Sequence, residues 1–202
     1  MPLAEPAMIA KTLLVGICVL HKAAAFSSVP AHATDTCEED PITMHEVEDA
    51  QQEWGAAIVR ISSSYLSGGD YVATAADAAD LLYGYGRTNV LFKPTKAAEH
   101  PFRPTATGAL SYFVGGDVVT GGYAEDSGFA LGPDHLGWTA VSLEDHQVDL
   151  YKASAHAMGE YFFTAADGNI SKVEYTFGYK RNADCKVRIY LHHSSLPYPL
   201  NA

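Results

Sequence analysis

Lys186-Val187-Arg188-Ile189-Tyr190-Leu191-His192-His193-Ser194-Ser195-Leu196-Pro197 reads as a β-rich segment ended by proline. Side chains in a regular strand alternate between faces, so Val187, Ile189, Leu191, His193 and Ser195 share one face. Arg188, Tyr190, His192 and Ser194 share the other. The first set is apolar until its last two members. Regular alternation therefore predicts that His193 and Ser195 stand where the buried face of a sheet opens into a pocket. By the same alternation His192 points to the opposite face, in a structural or interface role.

Upstream of this strand, segments near 138–143, 153–164 and 170–180 are rich in Tyr, Phe, Val and Ile, and Asp167-Gly168 and Asn182-Ala183-Asp184 supply turns between them. The N-terminal half has a different period. Thr43-Met44-His45-Glu46 has capping-box spacing, and Val47, Ala50, Trp54, Ile58, Ile61 and Tyr65 recur at steps of three and four. A long amphipathic helix ended by Gly68-Gly69 follows from this spacing. A second helix is expected from about Thr74 to Tyr83-Gly84, a short strand over 89–95 stopped by Pro94, and a short helix over 105–114 closed by Gly115-Gly116. Helices first and a meander afterwards predict an α+β fold, with the long helix packed on a curved antiparallel sheet. The Gly-rich stretch from Asp117 to about Pro133 lacks the Gly-Lys-Ser/Thr ending of a phosphate loop.

The chain has 202 residues and a formal charge of -11, with 48% hydrophobic and 18% charged residues, enough for one domain with a real core. Clustered Lys and Arg are missing, which argues against a nucleic-acid partner. Lys11 precedes the apolar run Leu13 to Leu20, and Ala23-Ala24-Ala25 follows. Residues 1–25 thus read as a secretory signal peptide, too short to span a bilayer comfortably, so no stable membrane insertion is expected after its removal. Residues 26–42 read as a transit or linker segment and 43–202 as the folded domain. The junction Ala25-Phe26-Ser27-Ser28 resembles the Phe-bearing transit junction of algae with secondary plastids, which implies plastid delivery; plain secretion is the alternative. Cys18 falls in the leader, and a Cys37–Cys185 disulfide is left open. Asn169-Ile170-Ser171 has the glycosylation pattern.

No Cys-x-x-Cys, His-x-His or His-Glu-x-x-His pattern marks a metal site, and adjacent His192 and His193 cannot both reach one ion from a regular strand, so no metal is expected. Hydroxyl-bearing residues instead punctuate the apolar segments: Thr95 after the short strand, Tyr112 in the short helix, Ser195 in the last strand. Three stretches then stand out together: Leu91-Phe92-Lys93-Pro94-Thr95-Lys96-Ala97, Gly108-Ala109-Leu110-Ser111-Tyr112-Phe113-Val114-Gly115-Gly116, and His192-His193-Ser194-Ser195-Leu196-Pro197-Tyr198. With Ala157 to Thr164 and Lys172 to Tyr179, they resemble the iota-class carbonic anhydrases, whose domain is related to the calcium/calmodulin-dependent protein kinase II association domain.

The resemblance spans roughly residues 44–198. It implies a cone-shaped nuclear-transport-factor-like fold, a homodimer, and reversible hydration of carbon dioxide to bicarbonate without a metal or other cofactor. Carried over by motif, Thr95, Tyr112, His193 and Ser195 would be the catalytic and substrate-binding residues, with Thr105 and Thr107 as rivals of Thr95. In that arrangement His193, or a relay through Ser195, takes the proton from water while Tyr112 and Thr95 donate to the forming bicarbonate. Two other readings stay open: a non-catalytic oligomeric association module, and a proton-transfer enzyme of isomerase or cyclase type on the same fold.

Overall fold

In the computed structural model, which describes residues 37–199, helices come first and long strands last. The expected leader over 1–25, and all but the end of the 26–42 segment, lie outside the described residues. Helix α1 runs Met44–Leu66, and Thr43 caps it as expected: its hydroxyl accepts the Glu46 N–H at 3.3 Å while Glu46 Oε2 accepts the Thr43 N–H at 2.9 Å. Helix α2, Tyr71–Leu82, starts earlier than the sequence suggests. Asp70 is its cap, accepting the Ala73 N–H at 2.9 Å, and the Thr74 hydroxyl donates back to the Asp70 carbonyl instead. Strand β1 is Leu91–Lys93, and helix α3 is Ala106–Val114.

Strands β2 (Trp138–Tyr151), β3 (Ser154–Ala165), β4 (Ile170–Arg181) and β5 (Val187–Ser195) form the expected antiparallel meander. The sheet order is β1-β5-β4-β3-β2, and β1 adds to β5 in parallel, so the sheet is not wholly antiparallel. Strand β2 continues well past residue 143. The run Glu144-Asp145-His146-Gln147 hides the strand period, yet its backbone stays paired with β3 as far as Tyr151 opposite Ser154.

Helix α1 lays Val47, Trp54, Ile58 and Ile61 on the inner face of the sheet. Trp54 is central: it stacks on Tyr161 with ring centroids 5.4 Å apart and meets Phe163 and Phe177 edge-on. Ala155, Ala157, Tyr161, Phe163, Val173, Tyr175 and Phe177 supply the buried face of β3 and β4. This is the α+β architecture read from the sequence, a long helix covering a curved sheet.

The face assignment of β5 is the main correction. Gly178 pairs with Leu191, but the next residue, Tyr179, pairs with Ile189, which leaves Tyr190 as an extra residue in β5. The alternation therefore changes parity. Ile189 faces inward before the bulge, and His192 and Ser194 face inward after it, opposite the buried Phe177 and Tyr175. His193 and Ser195 face outward. Gly178 makes the bulge possible, because a Cβ there would lie 2.8 Å from Tyr190 Cε1 and 2.9 Å from Leu191 Cβ. A second bulge, at His146 in β2, again has a glycine, Gly159, at its edge.

Cys37 and Cys185, left open by the sequence, are paired, and tie the segment before α1 to the β4–β5 turn. Arg181 reinforces the same junction by donating to the Asp40 and Pro41 carbonyls and to Glu46.

Two outcomes follow. Gly178→Ala should lower unfolding free energy by about 1–3 kcal/mol in a urea titration, through overpacking against Tyr190 and Leu191; an unchanged midpoint would mean the bulge is not that tight. Reduction of Cys37–Cys185, or Cys37→Ser, should cost about 2–4 kcal/mol by the same measurement, since the bridge closes a long loop.

Candidate active site

Pro94, fully buried, ends β1 and delivers Thr95 and Lys96 to the end of helix α3 that carries Tyr112. Thr105 caps α3 through the Gly108 N–H at 3.1 Å, so it is a structural residue, and Thr107 lines an outer groove beside Leu110. The Tyr112 hydroxyl faces the backbone N–H groups of Lys96 and Thr95. Strand β3 brings Tyr161 to the same place: Ser194 and Thr95 lie close enough to its hydroxyl to offset part of the effect of burial, and its Oη lies 3.5 Å from His192 Nε2. Four hydroxyls from four elements thus converge: Thr95, Tyr112, Tyr161 and Ser194.

Burial pushes both phenols well above their ordinary pKa, so Tyr112 and Tyr161 stay protonated and act as donors. Aromatic rings form the walls. Phe129 stacks on Tyr112 at 5.4 Å, and Phe92 meets it edge-on at 5.8 Å. Tyr112 also lines a cavity of about 40 Å³ with Lys96, Asp126, Phe129 and Trp138, room for a guest of about three heavy atoms.

His192 lies beneath this cluster, buried and packed between Phe92 at 4.6 Å and Phe177 at 4.4 Å. Its Nδ1 is 2.7 Å from Tyr83 Oη, and its Nε2 makes a long 3.5 Å contact with Tyr161 Oη. Tyr83 Oη in turn accepts from Trp54 Nε1 at 3.0 Å. Desolvation, aided by neighbouring His193, pushes the His192 pKa down to about 3. The imidazole is neutral across the physiological range.

The loop after α3 is held by a buried ionic set. Arg103 donates to Asp126 at 2.7 Å, Ser111 donates to the other Asp126 oxygen at 2.5 Å, and the Tyr123 N–H donates to Ser111. Burial raises the Asp126 pKa against these partners. Their effect is to fix the loop leading to Gly128 and Phe129 at the cavity wall.

Of the residues singled out in the sequence, Thr95 and Tyr112 are brought together, and His193 and Ser195 are not. The last two line an open outer trough with Glu144, Glu160 and Glu174, and Ser195 donates to Glu174 at 3.1 Å. Such an acidic lining repels an anion. Tyr161 and Ser194 were missed. Gly178 was the available signal for Ser194, because an isolated glycine inside a strand marks a bulge or a close approach. Among the described residues no three His, Cys, Asp or Glu side chains converge as a metal set.

Residues 45–196 match the family model of the metal-independent carbonic anhydrases. The chain belongs to that family. A metal-independent carbonic anhydrase of Nostoc sp. (strain PCC 7120) is 39% identical over 160 residues, which cover 78% of this chain and 75% of the relative. The crystal structure of a cyanobacterial iota-carbonic anhydrase complexed with bicarbonate superposes with a TM-score of 0.72 at 38% identity, over 79% of this chain and 94% of that one. A calcium/calmodulin-dependent protein kinase II association domain from Xanthomonas campestris, described as putative, matches at 21% identity and a TM-score of 0.50, over 81% and 98% of the two chains, and shares the fold alone. In this member of the family the hydroxyl cluster presents neutral groups on the inner face of the sheet, and the outer trough presents carboxylates.

The buried imidazole has a consequence for stability. The unfolded imidazole titrates near 6.5 and the folded one near 3, so between these values the unfolded chain binds a proton that the native chain does not. Stability from His192 is present above about pH 6.5 and lost on acidification toward 3. His192→Gln should flatten the fall in unfolding free energy between pH 6.5 and 4 relative to the parent, in urea titrations at a series of pH values. An equally steep fall would refute the assignment.

Proposed function

We propose that the chain hydrates carbon dioxide reversibly, CO2 + H2O giving HCO3⁻ and H⁺, at the cluster of Thr95, Tyr112, Tyr161 and Ser194, beside the cavity that Tyr112 lines. The observation that carries the reading is the burial of two phenols, Tyr112 and Tyr161, with Ser194 on the inner face of the sheet, next to the buried His192 imidazole. Similarity to a cyanobacterial enzyme crystallised with bicarbonate supports the substrate.

The two faces of the pocket suit the two ends of the reaction. Carbon dioxide has no dipole and is accommodated by the rings of Phe92 and Phe129; bicarbonate spreads its charge over two oxygens and is held by O–H and N–H donors. As water oxygen attacks carbon, negative charge grows on the carbon dioxide oxygens. Protonated Tyr112 and Tyr161 are positioned to donate to them, at no cost of reorganisation. The proton released by water needs an oxygen acceptor that can pass another proton on. Ser194 and Thr95 can do so, and half-buried Thr95, beside exposed Lys96, gives the relay its exit to solvent. With a pKa near 3, His192 does not store that proton at neutral pH. Delivery to a plastid through the endomembrane system would give Cys37 and Cys185 an oxidising passage in which to pair.

Stopped-flow hydration after exhaustive chelation tests the reading. Tyr161→Phe and Ser194→Ala should each lower kcat/KM on the order of 10²-fold, the usual loss for one preorganised donor. His193→Ala and Ser195→Ala, in the outer trough, should stay within about twofold of the parent. Collapse in the outer pair with retention in the inner pair would move the chemistry to the other face of the sheet.

A further inference from the structure

An indole carries one polar hydrogen and no acceptor, so the hydrogen bond between Trp54 and Tyr83 has a single direction. Trp54 Nε1–H donates to Tyr83 Oη at 3.0 Å. Tyr83 is wholly buried and keeps its phenolic hydrogen. That hydrogen has a partner 2.7 Å away in His192 Nδ1. If Nδ1 carried a hydrogen instead, Tyr83 Oη would accept twice and leave its own hydrogen buried without an acceptor, the costlier arrangement. Nδ1 is therefore the acceptor, and the neutral ring holds its proton on Nε2, which faces Tyr161 Oη at 3.5 Å. With Nε2–H facing its oxygen, Tyr161 keeps its own hydrogen for the side away from His192, where Ser194 and Thr95 are its polar neighbours.

We propose that Trp54 and Tyr83 are positioning residues that hold His192 in its Nε2–H tautomer and so aim the Tyr161 hydroxyl hydrogen into the carbon dioxide pocket. The proposal rests on the reading of that pocket given above. One indole serves twice in it. Its face fixes the Tyr161 ring, at 5.4 Å and nearly parallel, and its edge sets the direction of every hydrogen bond from Tyr83 to Tyr161. A donor oriented before substrate arrives needs no rotation as charge develops on the substrate oxygen.

The tautomer is measurable directly. In the full chain labelled with ¹⁵N-histidine, with His192 assigned by its ring contacts to Phe92 and Phe177, the imidazole should show a protonated Nε2 and a bare Nδ1. Tyr83→Phe should give a mixture of tautomers. Its kcat for hydration should fall on the order of tenfold, the usual scale for loss of an orienting partner, with KM within about twofold. An Nδ1–H form in an active parent enzyme overturns the positioning alone, as does a Tyr83→Phe enzyme with unchanged kcat. A parent chain that shows the Nε2–H form and hydrates no carbon dioxide overturns the functional reading, and the purpose assigned to the tautomer with it.

Discussion

One extra residue in β5 decides which of its side chains enter the core. Tyr190 has no partner of its own on β4, and its insertion turns the strand by one step of the pleat, so that His192 and Ser194 point into the core. The space for it comes from Gly178, whose missing side chain admits the Tyr190 ring and Leu191. Everything at the pocket floor depends on that exchange. His192 fits between Phe92 and Phe177 and reaches Tyr83 and Tyr161 only from the inner face.

The hydroxyl cluster and its floor are built from neutral groups. Phenols, aliphatic hydroxyls, backbone N–H groups and a neutral imidazole can be buried at modest cost when each finds a partner, whereas an isolated carboxylate or ammonium in the same place would demand a counter-charge. The buried charges among the described residues are paired, Arg188 with Asp184 at the β4–β5 turn and Arg103 with Asp126 beside α3. Arg103 and Asp126, with Ser111, hold the loop against α3 and so set the position of Phe129 on the cavity wall. The exposed carboxylates of the sheet lie on the outer face, around His193 and Ser195. At the edge of the Tyr112 cavity the Asp126 carboxylate is held by Arg103 and Ser111, so its lone pairs are already engaged where a polar guest would meet the hydroxyls.

The order of elements, the α+β class and the cap of α1 were legible in the sequence because each depends on neighbours within a few residues. Thr43 and Glu46 satisfy one another across a single turn, and the apolar steps from Val47 to Ile61 need only a helical period to share a face. Thr95 and Tyr112 were legible as candidates by resemblance to a family, and the fold brings them together. The start of α2 was misjudged because Thr74 and Asp70 both offer a capping group, and only the full turn shows which is used.

Local periodicity and composition by themselves thus determined the order of helices and strands, the meander, the net acidic charge and the hydroxyl-rich segments. It could not determine which of His192 and His193, or of Ser194 and Ser195, faces the core. Strand parity is a relation between two strands: it is set by the register of β5 on β4 and reversed by a single unpaired residue, Tyr190. The joining of Cys37 to Cys185, the parallel pairing of β1 with β5, and the chain from Trp54 through Tyr83 and His192 to Tyr161 likewise arise only when distant segments meet. Packing alone brings those groups within hydrogen-bonding distance, and that distance is what gives them their chemistry.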